Sequence, residues 1–363
     1  MLPGERASTD EYRGAMSEAE ENPMDAPRFT AEVLGPLVRG ADLARDQARD
    51  ALGAILAGHI EGVLIASFLT ALTAKGETPA EMTGFVDAMV AAANTFTLDV
   101  DAIDIVGTGG DQLHTVNIST MAALAVAGCG VPVAKHGNRA ASSSVGSADV
   151  LEALGVRLDT PPELVRACID DAQIGFLFAP RYHHALGYLT PIRRALAFRT
   201  VFNVLGPLAN PALVQRALIG VAYAGHLEAM AEVLSARGMT RALLVNADDG
   251  LDELSLATPS TMYVITSDGV RVERIDAGDL LARRHSVASI RGGDVQHNVG
   301  VVRRFLDGEP GPVTDVACAN AALALMAAER VTTLRDGFEM AMASVASGRA
   351  GHALERLVAV SNS

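Results

Sequence analysis

The chain has 363 residues, 49% of them hydrophobic, with 34 glycines and a formal net charge of −14. That length exceeds what one compact domain usually needs, so two lobes are expected, and the apolar content marks a folded α/β or helix-rich chain. The acidic charge disfavours non-specific binding of nucleic acid or acidic membranes, and the absence of Trp with only 4% aromatics argues against a base-stacking platform.

Residues 1–27 are mostly polar and acidic, lack an apolar h-region, and read as a disordered tail instead of a signal peptide. From Phe29 to Asn94 the pattern is helical throughout. Leu43, Ala44, Ala48, Ala51, Leu52 and Ile55 recur at helical spacing up to Gly58, and Thr78-Pro79-Ala80-Glu81 is a capping box with Pro at the first helical position. At Ile103–Val106 the pattern changes to a short buried strand that breaks at Gly107. A helix follows from Ser119 to Gly128, and Val131–Ala134 is the next strand. Thr160-Pro161-Pro162-Glu163 reads as a second capping box. Leu189–Arg199 reads as a helix that could rejoin the helical unit. Further strands are expected at Ala217–Ala222, Ala242–Val245 and Met262–Ile265, with helices at Leu227–Ala236, Asp315–Ala328 and Leu334–Ala346. Strands alternating with helices predict a mostly parallel sheet flanked by helices, beside a smaller all-helical domain. Cys129, Cys168 and Cys318 are far apart and lack C-x-x-C spacing, which points to reduced thiols in the cytosol. No apolar run reaches the ~20 residues of a membrane span, so a cytoplasmic protein is expected.

Three loops fall at strand ends. Gly107-Thr108-Gly109-Gly110-Asp111 can present backbone N–H groups as an anion-binding nest. A dinucleotide-binding fingerprint fails, because Gln112 stands where the third glycine belongs, and no Gly-Lys-Ser/Thr of a P-loop follows. The loop leads to Asn117-Ile118-Ser119-Thr120 at a helix start, where Ser119 or Thr120 either caps the helix or, with the free N–H groups, holds a phosphate. Lys135-His136-Gly137-Asn138-Arg139, continuing through Ala140, Ala141, Ser142, Ser143 and Ser144 to Ser147, offers cationic and short hydroxyl donors; the bland alternative is a solvated basic turn. Asp248, Asp249, Asp252 and Glu253 crowd the third loop. Such carboxylates need solvent or a hard divalent cation, and magnesium carried on phosphates needs only one or two of them. Ligands of parallel α/β sheets bind beyond the carboxyl ends of strands. Two donor loops and one metal loop there suit a substrate with separate phosphates, one of them carried by magnesium.

These motifs, together with Arg199-Thr200-Val201-Phe202-Asn203-Val204-Leu205-Gly206-Pro207-Leu208-Ala209-Asn210-Pro211, Gly146-Ser147-Ala148-Asp149, and Gly292-Gly293-Asp294 with Asn298, resemble anthranilate phosphoribosyltransferase over roughly Phe29 to Leu357. The resemblance implies a helical domain at 28–98, joined by about 189–205, and an α/β phosphoribosyl-binding domain at 99–188 and 206–363, of the nucleoside phosphorylase/phosphoribosyltransferase type. It implies a homodimer joined through the helical domains. It also implies transfer of the 5-phosphoribosyl group from phosphoribosyl pyrophosphate to the amino group of anthranilate, releasing pyrophosphate, in tryptophan biosynthesis. By position, Gly107 to Asp111, Thr115, Asn117 to Thr120, Lys135 to Ser143 and Ser147 would hold phosphoribosyl pyrophosphate. Gly107, Asn138 and Arg193 would hold anthranilate. Ser119 and Glu253 would ligate one Mg²⁺, and Asp252 and Glu253 a second. Arg193 also has a physical rationale, since a guanidinium matches the carboxylate of anthranilate as a fork; Arg194 adjoins it, and spacing does not choose between them. His136, His183 and His184 are candidate pocket liners. The chain departs from the family at Ala197, where Gly is usual, and at Ser144-Val145. Two alternatives are a pyrimidine nucleoside phosphorylase-like enzyme, which the Lys135–Arg139 wording and the Asp252-Glu253 pair disfavour, and a non-catalytic paralogue that binds nucleic acid, which the acidic charge disfavours.

Overall fold

The structure, a computed structural model, describes residues 24–140, 145–281 and 284–363. Met24 is already buried, and Asp25 caps a helical turn at Ala26–Phe29. Packed chain is therefore present before the expected boundary at 27; residues 1–23 of the expected tail lie outside the described residues.

Seven strands form one sheet: β1 (Ile103–Gly107), β2 (Val133–Gly137), β3 (Ile174–Phe178), β4 (Arg216–Gly220), β5 (Arg241–Ala247), β6 (Ser260–Thr266) and β7 (Gly269–Ile275). Their spatial order is β3-β2-β1-β4-β5-β6-β7. β1 to β5 are parallel, and β6 and β7 are antiparallel additions at one edge. The chain runs outward from β1 through β2 to β3, then returns to the other side of β1 as β4. The strand order thus reverses between β1 and β4, where Gly107 stands in register with Gly220. In open parallel sheets this reversal leaves a crevice that takes the ligand.

One sheet face is covered by helices Ile118–Gly128, Pro312–Ala327, Leu334–Ala346 and Arg349–Ser361, which share a core with Ile103, Val133 and Leu243. Met121 to Ala127 are all buried, as expected for a helix apolar on every side and enclosed by others. The opposite face packs on Leu227–Ala236 and on the helical unit, Arg45–Leu56, Gly62–Lys75 and Pro79–Ala91. The capping box at Thr78 forms: Thr78 Oγ1 accepts from the Glu81 N–H at 3.3 Å, and Glu81 accepts from the Thr78 N–H at 2.8 Å. Glu81 also receives Leu43 N–H and Lys75 Nζ, which makes its complete burial tolerable. Leu189, Val201, Phe202 and Leu205 lie in the same core, so the 189–205 segment packs with the helical unit.

Several local expectations differ from the structure. β2 runs to Gly137, so Lys135 and His136 are strand residues and not loop residues. No side chain caps the helix near Thr160; it starts at Pro162 with Pro161 in the cap position. The segment expected as one helix from Leu189 to Arg199 is helical only over Thr190–Leu196. It ends because Ala197 adopts φ 56°, ψ 17°, the left-handed conformation that closes helices and favours glycine. An L-residue there is strained by roughly 1 kcal/mol. Ala197→Gly is expected to raise unfolding stability by up to about 1 kcal/mol, after the extra chain entropy of glycine is deducted; a lowered midpoint in urea unfolding would contradict this.

Candidate active site

The acidic loop after β5 is seated by its apolar residues. Leu251 and Leu254 are fully buried, and Asn320 clamps Leu254 by accepting its N–H at 2.8 Å and donating to its carbonyl at 3.1 Å. The loop crosses the ends of β1 and β4, where close approach requires glycine. A Cβ on Gly220 would lie 1.5 Å from the Asp252 carbonyl oxygen, and one on Gly107 would lie 2.7 Å from Asp252 Oδ2. The four crowded carboxylates then divide. Asp248 pairs with Arg274, and Asp249 accepts from Leu251 N–H and Ser255 Oγ, so both are structural. Asp252 and Glu253 turn inward, where Glu253 is buried.

Inside, the three sequence-predicted loops meet. Asp252 Oδ2 accepts from the Gly109 N–H at 2.7 Å. Glu253 accepts from the Ser119 N–H at the start of helix Ile118–Gly128. No side chain caps that helix: Asn117 holds the cap position but donates to Val145 O and accepts from Asn298. Its positive end therefore faces Glu253 directly. Ile118 and Thr120 are buried behind it, and Thr120 Oγ1 has no hydrogen-bond partner. Thr115 bridges to Arg291, which brings the Gly292-Gly293 turn against this helix start. Thr108 zips the β1 and β4 loops together, donating its N–H to Gly220 O and accepting from Ala222 N–H.

The charge balance of this crevice is unusual. Burial, then the neighbouring Asp111, pushes the Asp252 carboxyl well above the ordinary carboxylate range. Burial, then Asp252, holds Glu253 well above the ordinary carboxylate range, partly offset by Lys135. Asp111 faces Asp252, and its Oδ2 is buried without a donor. Lys135 is 1% exposed; its Nζ donates to Ile105 O at 2.5 Å and to Ser119 Oγ at 3.3 Å, between Asp104 and Glu253. Asp104 in turn accepts from His136 N–H and Asn210 Nδ2. One ammonium shared between two flanking carboxylates leaves the crevice short of positive charge. That ligand set fits magnesium: oxygen atoms only, with the Asp111 Oδ2 acceptor left without a donor and a hydroxyl at Ser119. Among the described residues no three or more His, Cys, Asp or Glu side chains form a ready metal cage. A cation here therefore takes part of its shell from its own ligand, as magnesium on phosphates does.

The β2 loop contributes differently from its sequence reading. Arg139 is tied to Asp149 and Glu152 and stacks over Phe178, so its charge is committed. Asp149 also accepts from the N–H groups of Ala140 and Gly146. Gly137 lets Ser147 approach, and the Asn138 carbonyl accepts from Ala148 N–H and Ser147 Oγ. Asn138 is exposed at the loop start. Ala141, Ser142 and Ser143 lie outside the described residues. Arg193 is half-buried over the Phe202 ring at 5.3 Å with no carboxylate partner among the described residues, whereas Arg194 is exposed. The helical turn that begins at Phe202 leads to Gly206, whose backbone bonds the His136 ring. Arg193 is thus linked to the start of the Asn138 loop. The His136 and His183 rings are 5.4 Å apart, and His183 Nε2 bonds Ala209 O, while His184 is exposed.

The helical-bundle model of a glycosyl transferase family matches residues 31–93, and its a/b-domain model matches 99–351. The chain is 48% identical to the anthranilate phosphoribosyltransferase of Thermomicrobium roseum over 335 residues, covering 91% of this chain and 96% of that one. This chain belongs to the anthranilate phosphoribosyltransferase family. The solved family member from Thermus thermophilus superposes with a TM-score of 0.84 at 39% identity, covering 91% of this chain and 99% of that one. The Saccharomyces cerevisiae anthranilate phosphoribosyltransferase, solved in complex with PRPP and Mg, gives 0.84 at 25% identity, covering 91% and 97%. The sequence motifs did not single out Gly220, Asn320 or Asp104, which hold the acidic loop and Lys135 in place; Asn210 stands in a quoted motif, but its bond to Asp104 shows only in the structure. None carries a chemical signature; each is recognisable only by what it touches.

Two outcomes test this geometry. Gly220→Ala forces the Asp252 backbone away by more than 1 Å, and a misplacement of that size lowers turnover by about 10²-fold; turnover within a few-fold of the parent would contradict the seating. Burial, then His183, pushes the His136 imidazole down to about 3 from its ordinary 6.5. Between those values the unfolded chain binds a proton that the folded chain refuses, so this contribution to stability is complete above about pH 6.5 and is lost as pH falls toward 3. His136→Asn should flatten the fall in melting temperature between pH 6.5 and 4.5; an unchanged slope would refute it.

Proposed function

We propose that the crevice between β1 and β4 transfers the 5-phosphoribosyl group of phosphoribosyl pyrophosphate to the amino group of anthranilate. The N–C1 bond forms as the C1–pyrophosphate bond breaks, and the proton that the amine gives up passes to the departing pyrophosphate or to water. The convergence of Asp252-Glu253 with Gly109 and Ser119 at the strand-order switch carries this reading. Gly107 to Asp111, Thr115, Asn117 to Thr120, Lys135 to Ser143 and Ser147 hold the phosphorylated substrate, with Arg139 shaping its loop through Asp149 and Glu152 instead of lending its charge to a phosphate. Lys135 acts from below, through Ser119. Ser119 and Glu253 hold one Mg²⁺, and Asp252 and Glu253 hold a second. Magnesium bound there supplies positive charge to a pyrophosphate that gains negative charge as it departs. Gly107, Asn138 and Arg193 hold anthranilate, with the Arg193 fork on its carboxylate. The aromatic amine is already neutral near pH 7, so the chain needs no strong general base, and orientation of the two substrates supplies much of the rate. His136, also neutral, lines the pocket beside Asn138.

A groove of ≈ 640 Å³ on the helical unit, lined by Leu37, Val38, Val63, Ala66 and Ala71, carries the exposed side chains Val38 and Val63. This apolar face is suited to a second copy of the chain, which makes the active form a homodimer joined through the helical units. Unpaired Cys129, Cys168 and Cys318 are consistent with the cytoplasm, and no helix among the described residues is long and apolar enough to cross a membrane. Neither a nucleoside phosphorylase nor a nucleic-acid-binding paralogue gains support from the site.

Loss of anthranilate fluorescence on addition of phosphoribosyl pyrophosphate and Mg²⁺ is the direct assay. In it, Arg193→Ala should raise KM for anthranilate by about 10-fold or more, the loss of one charge-assisted pair. Unchanged anthranilate kinetics would reject the Arg193 assignment.

A further inference from the structure

Arg199 lies between helix Thr190–Leu196 and the turn at Phe202–Leu205, in the segment that packs with the helical unit. Its side chain reaches across to the glycine loop. Nη1 donates to Gly110 O at 2.7 Å and Nη2 donates to Gly109 O at 3.2 Å. The guanidinium stacks 4.6 Å from the ring centroid of Tyr223, which follows β4. Among the described residues no carboxylate pairs with it, so its fork is spent on two consecutive carbonyls. A Cβ on Gly110 would lie 2.4 Å from Nη1, so the loop glycine and the arginine fit each other.

A peptide unit is planar and trans, so its C=O and N–H point in opposite directions. Fixing the Gly109 carbonyl on Arg199 therefore turns the Gly110 N–H away from Arg199. Fixing the Gly110 carbonyl does the same to the Asp111 N–H. The Gly109 N–H is already given to Asp252. The next two amides of the loop are thus aimed as a pair, anchored from the opposite domain.

We propose that Arg199 is a positioning residue, which holds the carbonyls of Gly109 and Gly110 so that the following N–H groups face the phosphates of phosphoribosyl pyrophosphate. This rests on the transferase reading above. The planar guanidinium matters more than its charge, because a lysine offers a point charge and cannot take both carbonyls while stacking flat on Tyr223. The role is distinct from direct phosphate binding, which a lysine can also serve.

The test compares Arg199→Ala and Arg199→Lys with the parent in the fluorescence assay, alongside melting temperature. Both variants should raise KM for phosphoribosyl pyrophosphate by about 10-fold or more, as losing charge-assisted hydrogen bonds implies. KM for anthranilate should stay within about twofold. Arg199→Ala with the parent KM for phosphoribosyl pyrophosphate overturns the proposal. So does Arg199→Lys at parent KM, which would assign simple charge attraction, and so does an equal rise in both KM values, which would mark a general structural role. If Arg199→Ala fails to fold, Arg199→Lys alone decides by the same criterion. A parent chain without turnover defeats the transferase reading itself, whereas an active parent with indifferent variants defeats only the role of Arg199.

Discussion

The site depends on one buried contact, the backbone of Asp252 lying on the bare Cα of Gly220 while its carboxyl lies on Gly107. Any side chain at either position occupies space the loop already fills. Because Gly107 and Gly220 are register partners on β1 and β4, the contact sits at the point where strand order reverses. Leu251 and Leu254 supply the apolar burial that holds the loop down, and Asn320 satisfies the loop backbone that this burial would otherwise orphan. The fold thus drives two carboxylates into a place where they are electrostatically unfavourable. Lys135, itself held down by burial, offsets only part of that. An enzyme that must attract a magnesium-bearing pyrophosphate gains from such a deficit, since the incoming cation relieves repulsion that folding has already imposed.

The two lobes divide the chemistry. In the reading proposed above, the sheet and helix Ile118–Gly128 supply amides, hydroxyls and carboxylates for phosphate and metal. The helical side supplies Arg193, stacked on Phe202, and Arg199, stacked on Tyr223. Both guanidiniums lie on ring faces and neither pairs with a carboxylate among the described residues. In a chain of net charge −14, Arg193 is a cation kept from acidic partners, as an anionic substrate requires, whereas Arg199 spends its fork on the carbonyls of the glycine loop. His136 completes the junction: it links the Gly206 turn to the end of β2 and stays neutral through burial.

Strands β1, β2, β4, β5 and β6 were legible in the sequence, as were the loops at the ends of β1, β2 and β5, because both rest on local signals. Two strands were not. Ile174–Phe178 is a five-residue apolar run whose preceding helix ends on Gln173 in a left-handed conformation without a glycine to mark it. Gly269–Ile275 is an edge strand in which Val270 and Val272 alternate with Arg271 and Glu273 yet stay exposed, so no core-facing apolar run marks it. Lys135 and His136 read as loop because they are polar. They are strand residues because Asp104, about 30 positions earlier, gives a partner to the Lys135 charge and to the His136 N–H. Asp248 and Asp249 are indistinguishable by sequence from Asp252 and Glu253; only the distant Arg274 and the nearby Ser255 reveal that the first pair is structural.

The account is tested most directly by calorimetric titration of phosphoribosyl pyrophosphate into the full chain, with Mg²⁺ and with a chelator, for the parent and for Asp252→Ala with Glu253→Ala. It expects Mg²⁺ to tighten binding to the parent by about 10-fold or more, the scale of a metal-bridged phosphate contact, and expects that gain to vanish in the double variant. A Mg²⁺-dependent gain that survives removal of both carboxylates would contradict it.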